Sequence, residues 1–295
     1  MVSVIVFSKD RTLQLHGYLE SLFRFSDITQ DCVTVLFNEC TEISYRQVIN
    51  TFPEVNWVRE TNFPEDLAAI LSQVDQYVMF GCDDVVFTSK FSVQKAIETL
   101  DLNKDVFGFS MRLGKNIQPR PSSLKKCGSV YQWRWRGCQK NHWNYPWELD
   151  CTIYRKQDVF KILDTTSLNP RNPNYLEGDI AAQVDTLIER PDLACFTRSC
   201  SLVITVNRVQ DTHQNPFDSE GDSSVHSLHE RYERGERMDI SAISKKKNRV
   251  IHVDSSYLLL EEPSHLGSKL QRSSVSSSIW TNLSRFIKTI MNACR

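Results

Sequence analysis

Over the first 110 residues, short apolar runs alternate with stretches of helical periodicity, and that alternation limits the fold more than any other feature of the chain. Residues 2–7, 33–37, 56–59, 76–80 and 106–111 read as buried strands. Leu13, Leu15, Tyr18, Leu19 and Leu22 recur near helical spacing after the first run, and Leu67, Ile70, Leu71 and Val74 do so before the fourth. Strand and helix in regular alternation are the sequence form of a parallel sheet wrapped by helices. The expected class is therefore α/β, with a mostly parallel central sheet flanked by helices.

With 295 residues and 40% hydrophobic content, the chain is long enough to bury a full core. Its formal net charge of −1 supplies no basic field for nucleic acid and no acidic solvating tail. Nine cysteines, an odd number at irregular spacing, read as reduced thiols in a cytoplasmic setting. Met1 runs directly into the first strand without a basic segment or a cleavage site, and no window reaches about 18 uninterrupted apolar residues.

From Gly114 to Pro146 the periodicity breaks down into Pro, Ser, Lys and Arg, then Trp133-Arg134-Trp135-Arg136 and His142-Trp143-Asn144-Tyr145-Pro146-Trp147. A long connection of this kind in a compact domain is usually functional, and the Trp-Arg alternation reads as a half-exposed strand. Regular structure resumes at Cys151-Thr152-Ile153-Tyr154, followed by a helix through Val159, Ile162 and Leu163. A second helix is expected to start near Asp179, and residues 201–207 read as a late strand.

The fourth apolar run ends in Gly81-Cys82-Asp83-Asp84. Ligands of open α/β sheets sit outside the carboxyl ends of strands, and adjacent carboxylates there repel and are costly to desolvate. A divalent cation resolves that conflict. Hard oxygen ligands suit Mg2+ or Mn2+, which bind substrate phosphates alongside one or two carboxylates.

Val2-Ser3-Val4-Ile5-Val6-Phe7-Ser8-Lys9-Asp10-Arg11, the helix bearing Leu19-Glu20-Ser21-Leu22, and the acidic pair after the fourth strand together resemble family-2-type glycosyltransferases with the A-type fold. That resemblance covers roughly residues 1–210. It implies a single domain with a nucleotide-sugar-binding half at 1–110 and an acceptor-binding and catalytic half at 111–215. A polar extension at 216–272 and an amphipathic helix at 273–295 would follow. It also implies transfer of a sugar from a UDP- or GDP-linked donor to a glycan or other hydroxyl acceptor, with inversion. The family's acidic motif stands here as Cys82-Asp83-Asp84, with cysteine in place of the first acid. Asp84 is then the main metal ligand, with Asp83 beside it facing the ribose or diphosphate. His213, after the late strand, is a further candidate ligand. The implied donor contacts are Phe7, Ser8, Arg11, Asn38, Glu39, Glu60, Asp83 and Arg208. Residues 152–158 resemble the family's strand and turn before the acidic helix, which makes Glu177 and Asp179 candidates for the general base. Glu148 and Asp150 compete with them, and the neighbouring Trp147 and Trp143 are candidate stacking faces for an acceptor. The cysteine at 82 also keeps open a domain that binds sugar, nucleotide or protein without catalysis.

A dehydrogenase needs a glycine-rich turn after the first strand, which residues 7–12 lack. At the other end of the chain, no acidic residue occurs from Ser264 to Arg295, and Ile279, Trp280, Leu283, Phe286, Ile287, Ile290 and Met291 fall on one helical arc. Such a helix either docks on the protein's own core or a partner, or attaches weakly and peripherally to an anionic membrane surface. Truncation at Ser273 is expected to reduce sedimentation with anionic vesicles; equal pelleting of full-length and truncated chains would remove the membrane contact.

Overall fold

Residues 1–165, 170–209 and 223–262 are described by a computed structural model of the chain. The strands are β1 (Val2–Lys9), β2 (Val33–Asn38), β3 (Asn56–Arg59), β4 (Tyr77–Cys82), β5 (Val85–Phe87), β6 (Val106–Ser110), β7 (Lys125–Cys127), β8 (Val130–Arg134), β9 (Thr152–Arg155), β10 (Asp192–Phe196), β11 (Ser201–Ile204), β12 (Arg237–Met238) and β13 (His252–Val253). The helices are α1 (Thr12–Phe25), α2 (Arg46–Thr51), α3 (Phe63–Gln73), α4 (Val93–Leu102), α5 (Lys156–Thr165), α6 (Pro173–Ala181), α7 (Val184–Leu187), α8 (Val225–Glu233) and α9 (Ile240–Lys245).

The central sheet runs in the order β3-β2-β1-β4-β9-β6-β10-β8-β7. β1 pairs in parallel with β2 and β4, β2 with β3, and β6 with β10. β9 is inserted antiparallel between β4 and β6. The sheet is thus mainly parallel and flanked by helices, as the alternation of runs requires. Successive residues of β1 serve opposite faces, the period of any strand: Val4 and Val6 join one core with Val35 and Met79, and Ile5 and Phe7 join the other with Leu36 and Phe80. A smaller sheet, β13-β11-β5, lies behind the end of β4, where the Ile204 amide donates to the Asp84 carbonyl at 2.9 Å.

Four local expectations change. The late strand stops at Ile204 rather than at 207. β8 ends at Arg134, so the Trp-Arg alternation is only partly strand, although Trp133 and Trp135 both point inward. The second helix begins at Pro173, with Asn172 as its cap accepting from the Tyr175 amide at 3.2 Å, so Asp179 sits in the helix body rather than at its start. Asparagine followed by proline at the first helical position is a strong start signal. Met1–Leu260 form one compact unit, apart from Glu261–Arg295. Within it, Leu228, Tyr232, Met238, Ile240 and Ile243 of the expected polar extension are buried in the core shared with α1. Their spacing was diluted by the charged residues between them. The 273–295 helix lies outside the described residues, and among those described no helix is long and apolar enough to cross a membrane.

Gly81 shows how tightly β4 meets α1. A Cβ there would come within 2.2 Å of the Tyr18 hydroxyl, and Tyr18 is fully buried with Cys151 3.6 Å away. Gly81→Ala is therefore expected to destabilise the protein by about 1–3 kcal/mol through overpacking, read as a lower urea midpoint at unchanged m value; an unchanged midpoint would contradict this packing.

Candidate active site

The carboxyl ends of β1 and β4 meet because the two strands are hydrogen-bonded neighbours, and Phe7 is opposite Cys82 in their register. Asp83 and Asp84 follow directly. Asp83 is buried and held by three partners: Oδ2 accepts from the Ser8 hydroxyl at 2.8 Å and the Lys9 amide at 3.2 Å, and Oδ1 accepts from Arg11 at 2.9 Å; Ser8 is in turn hydrogen-bonded to Tyr45 at 2.7 Å. Asp84 differs. One oxygen receives Arg11 at 3.2 Å, and the other is buried without any hydrogen-bond partner. Burial pushes the Asp84 carboxyl up to about 7 against the pull of Arg11, with Asp83 and Asp150 adding repulsion.

Arg11 is fixed from both sides. Its Nε donates to the Asn207 side-chain oxygen at 2.9 Å, another guanidinium nitrogen donates to the Asn207 carbonyl, and its own amide donates to the Tyr45 hydroxyl at 3.1 Å. The segment after β11 therefore positions the cation that faces the acidic pair.

Across the cavity stands a second arginine. Arg112, buried just beyond β6, pairs with Glu148 and reaches Asp150 at 3.2 Å. Glu148 also accepts from the Thr152 hydroxyl, and its amide donates to Tyr154 at 2.9 Å. The antiparallel insertion of β9 between β4 and β6 brings Asp150, two residues before β9, up to Arg112, two residues after β6. Glu177 on α6 completes the group, with the Tyr145 hydroxyl and the Leu149 amide as neighbours that favour its ionised form. Burial raises its carboxyl to about 8, Asp150 adds repulsion, and Arg112 opposes the rise.

These groups line one cavity of about 1270 Å³. Of the candidate residues, Phe7, Ser8, Arg11, Asn38, Glu60, Asp83, Asp84, Asp150, Glu177 and Arg208 reach it. Five do not. Glu39 faces Arg59 at 3.6 Å and the Tyr45 amide at 3.0 Å, away from the cavity. Glu148 is enclosed with Arg112 and Thr152. Asp179 is absent from the lining because helical geometry, at about 100° per residue, turns it to the side opposite Glu177, while Asn174, Glu177, Gly178 and Ala181 share the cavity face. Trp143 and Trp147 are 1% and 0% exposed. Trp147 stacks on Tyr154, and Trp143 meets Trp133 edge-on. As packed, neither indole offers a face to an acceptor, a correction to their expected role. His213 lies outside the described residues.

The cavity also recruits residues that the sequence reading missed. Arg112 follows β6 of the same sheet by two residues and was open to the rule that found Asp84; Tyr145 sat unassigned in the long connection. His252 comes from β13, in the segment expected to be a mere extension, and its ring is 5.8 Å from that of His142. Burial pulls the His142 imidazole down to about 4.

No protein-family model matches the chain. Its sequence is 30% identical over 256 residues to the bifunctional glycosyltransferase pgtA of Dictyostelium discoideum, covering 73% of this chain and 33% of that protein. The chain is a glycosyltransferase homologue. It spans about a third of the length of that curated relative. Among solved structures, TarS of S. aureus in complex with UDP-GlcNAc has a TM-score of 0.41 at 17% identity, covering 66% of this chain and 56% of that one. The mannosyltransferase PcManGT from Pyrobaculum calidifontis, in complex with GDP-Man and Mn2+, has a TM-score of 0.39 at 11% identity, covering 66% and 54%.

In this homologue two of the raised carboxyls, those of Asp84 and Glu177, make a directional prediction. An acid whose folded pKa lies above its unfolded value keeps its proton longer when folded, so stability is lost as pH rises from the unfolded to the folded pKa. With chelator present, Tm should fall as pH rises from the ordinary 3.8 of Asp84 and 4.5 of Glu177 toward about 7 and 8. Glu177→Gln should flatten the upper part of that decline. A Tm that rises through this interval, or a variant with the parent's slope, would contradict the burial of these acids.

Proposed function

We propose that this protein transfers a sugar from a nucleoside-diphosphate donor to an acceptor hydroxyl with inversion, using a divalent cation at Asp84. The observation that carries this reading is the buried, unpartnered Asp84 oxygen at the end of β4, in one cavity with Arg11, Asp150 and Glu177. An orphaned carboxylate oxygen is expensive to bury and is what a hard cation coordinates. Mn2+ or Mg2+ held there would supply positive charge for the departing diphosphate. Asp83, saturated by Ser8, Lys9 and Arg11, serves as the fixed wall on the donor side.

Phe7, Ser8, Asn38 and Glu60 line the part of the cavity at the ends of β1 to β3 and are assigned to the nucleoside. Arg11 and Arg208 are assigned to the diphosphate. Glu177 is assigned as the base: the acceptor oxygen bonds to the anomeric carbon as the bond from that carbon to the diphosphate breaks, and the acceptor proton passes to the Glu177 carboxylate. A base with a pKa near the working pH balances availability against proton affinity, and about 8 meets that condition. Asp150, held by Arg112, is the second carboxylate on this side and is assigned to acceptor hydroxyls.

Nucleoside diphosphate release from a panel of nucleotide sugars, with manganese and with chelator, tests the reading. Asp84→Asn should abolish the metal-dependent affinity for nucleoside diphosphate in calorimetry while leaving the fold intact. Glu177→Gln should slow transfer by at least about tenfold with donor affinity little changed, and Asp179→Asn should do neither. Nucleotide affinity that survives Asp84→Asn in manganese removes the metal site. Donor binding without turnover in the parent chain would instead favour a non-catalytic binding domain.

A further inference from the structure

Away from the cavity, the described residues bring one more set of metal-ligating side chains together. Cys40 and Glu42, in the connection after β2, face His226 in the first turn of α8, and their ligand atoms all lie within 4.8 Å of one another. We propose that Cys40, Glu42 and His226 form a zinc-class cation site that clips α8 to the β2–α2 connection.

Thiolate, imidazole and carboxylate are the ligand types that zinc takes, at bond lengths of about 2.0–2.3 Å, which put tetrahedral ligand atoms roughly 3.3–3.8 Å apart. Side-chain rotation of Glu42 and His226, both exposed, closes the remaining gap. The three residues belong to segments nearly two hundred positions apart, so their meeting is a product of the fold. Three further contacts fix the same junction. His229, one turn after His226 and on the same helical face, is 3.0 Å from the Thr12 hydroxyl and receives the Ser44 amide at 3.4 Å. Asp10, at φ 56, accepts from the Cys40 amide at 2.6 Å. A non-glycine residue in this left-handed region carries strain unless its surroundings hold it, and here the Cys40 backbone does.

The cation would complete what these contacts begin. It would tie α8 to the loop that braces Asp10, the residue before Arg11. Its chemistry is distinct from that of the acidic pair: sulfur and nitrogen donors favour zinc over magnesium or manganese. The site therefore stands or falls independently of the proposed transfer reaction.

The test uses the untagged full chain. Titration with Co2+ as a zinc probe should give one equivalent of tight binding with a thiolate-to-cobalt charge-transfer absorption, bleached by Zn2+. Zn2+ should also raise Tm and slow amide exchange in 225–233 and around Cys40. Cys40→Ser and His226→Ala should lose the absorption and the Tm gain, and Asp84→Asn should keep both. His226 is exposed, so its variant remains informative if Cys40→Ser folds poorly. No charge-transfer band, a band that persists in Cys40→Ser, or equal zinc stabilisation of parent and His226→Ala would overturn the site.

Discussion

The end of the sheet depends on a like-charge problem solved by two arginines. Asp83, Asp84, Asp150 and Glu177 converge on one cavity, with Glu148 directly behind, and buried carboxylates this close cannot all ionise without cations. Arg11 and Arg112 supply them from opposite sides. Each arginine must in turn be held. Arg11 hangs from Asn207 and the Asp83 side, and Arg112 from Glu148 and Asp150. The topology makes this possible: β1 beside β4 brings Arg11 to the acidic pair, and antiparallel β9 between β4 and β6 brings Asp150 to Arg112.

Cys82 belongs to the same balance. Its side chain reaches toward the Leu149 carbonyl at 3.8 Å, and burial, together with the neighbouring acids, pushes its thiol well above the usual range. It is therefore a neutral group where the family's motif has an acid. A further carboxylate here would add another like charge between Asp84 and Asp150, beyond what two guanidiniums neutralise.

The part of the cavity at the ends of β1 and β4 was legible in sequence because it is local. The strands of the first half announced themselves by apolar runs, and Phe7, Ser8, Asp83 and Asp84 follow from where those runs end. The part around Arg112 and α6 was read less well because it is assembled from distant pieces. Glu177 and Asp179 are indistinguishable by composition; only the position of the Asn172 cap, which sets the phase of α6, separates the one facing the cavity from the one that does not. Trp143 and Trp147 looked like sugar platforms, yet a long connection with only the two short strands β7 and β8 needs a core, and these indoles help to provide it. His252 was out of reach: two residues of strand in a charged segment carry no periodic signal.

The charge count also bears on what can enter. The inner cluster holds five carboxylates, Asp83, Asp84, Glu148, Asp150 and Glu177, against two guanidiniums, Arg11 and Arg112. Even with Asp84 and Glu177 holding protons near neutral pH, as their raised values allow, the cluster carries one negative charge in excess. A nucleoside diphosphate brings more negative charge and would be repelled by such a cluster, since a low-dielectric wall strengthens the repulsion. Rim cations such as Lys9, Lys140 and Arg171 offset part of this from the outside. They lie in solvent-exposed positions, where screening weakens them. Under the proposed reaction, the divalent cation is the component that offsets the excess: with Asp84 ionised to bind it and Glu177 protonated, four carboxylates would meet two guanidiniums and a doubly charged ion, and the orphaned oxygen of Asp84 is the place prepared for it.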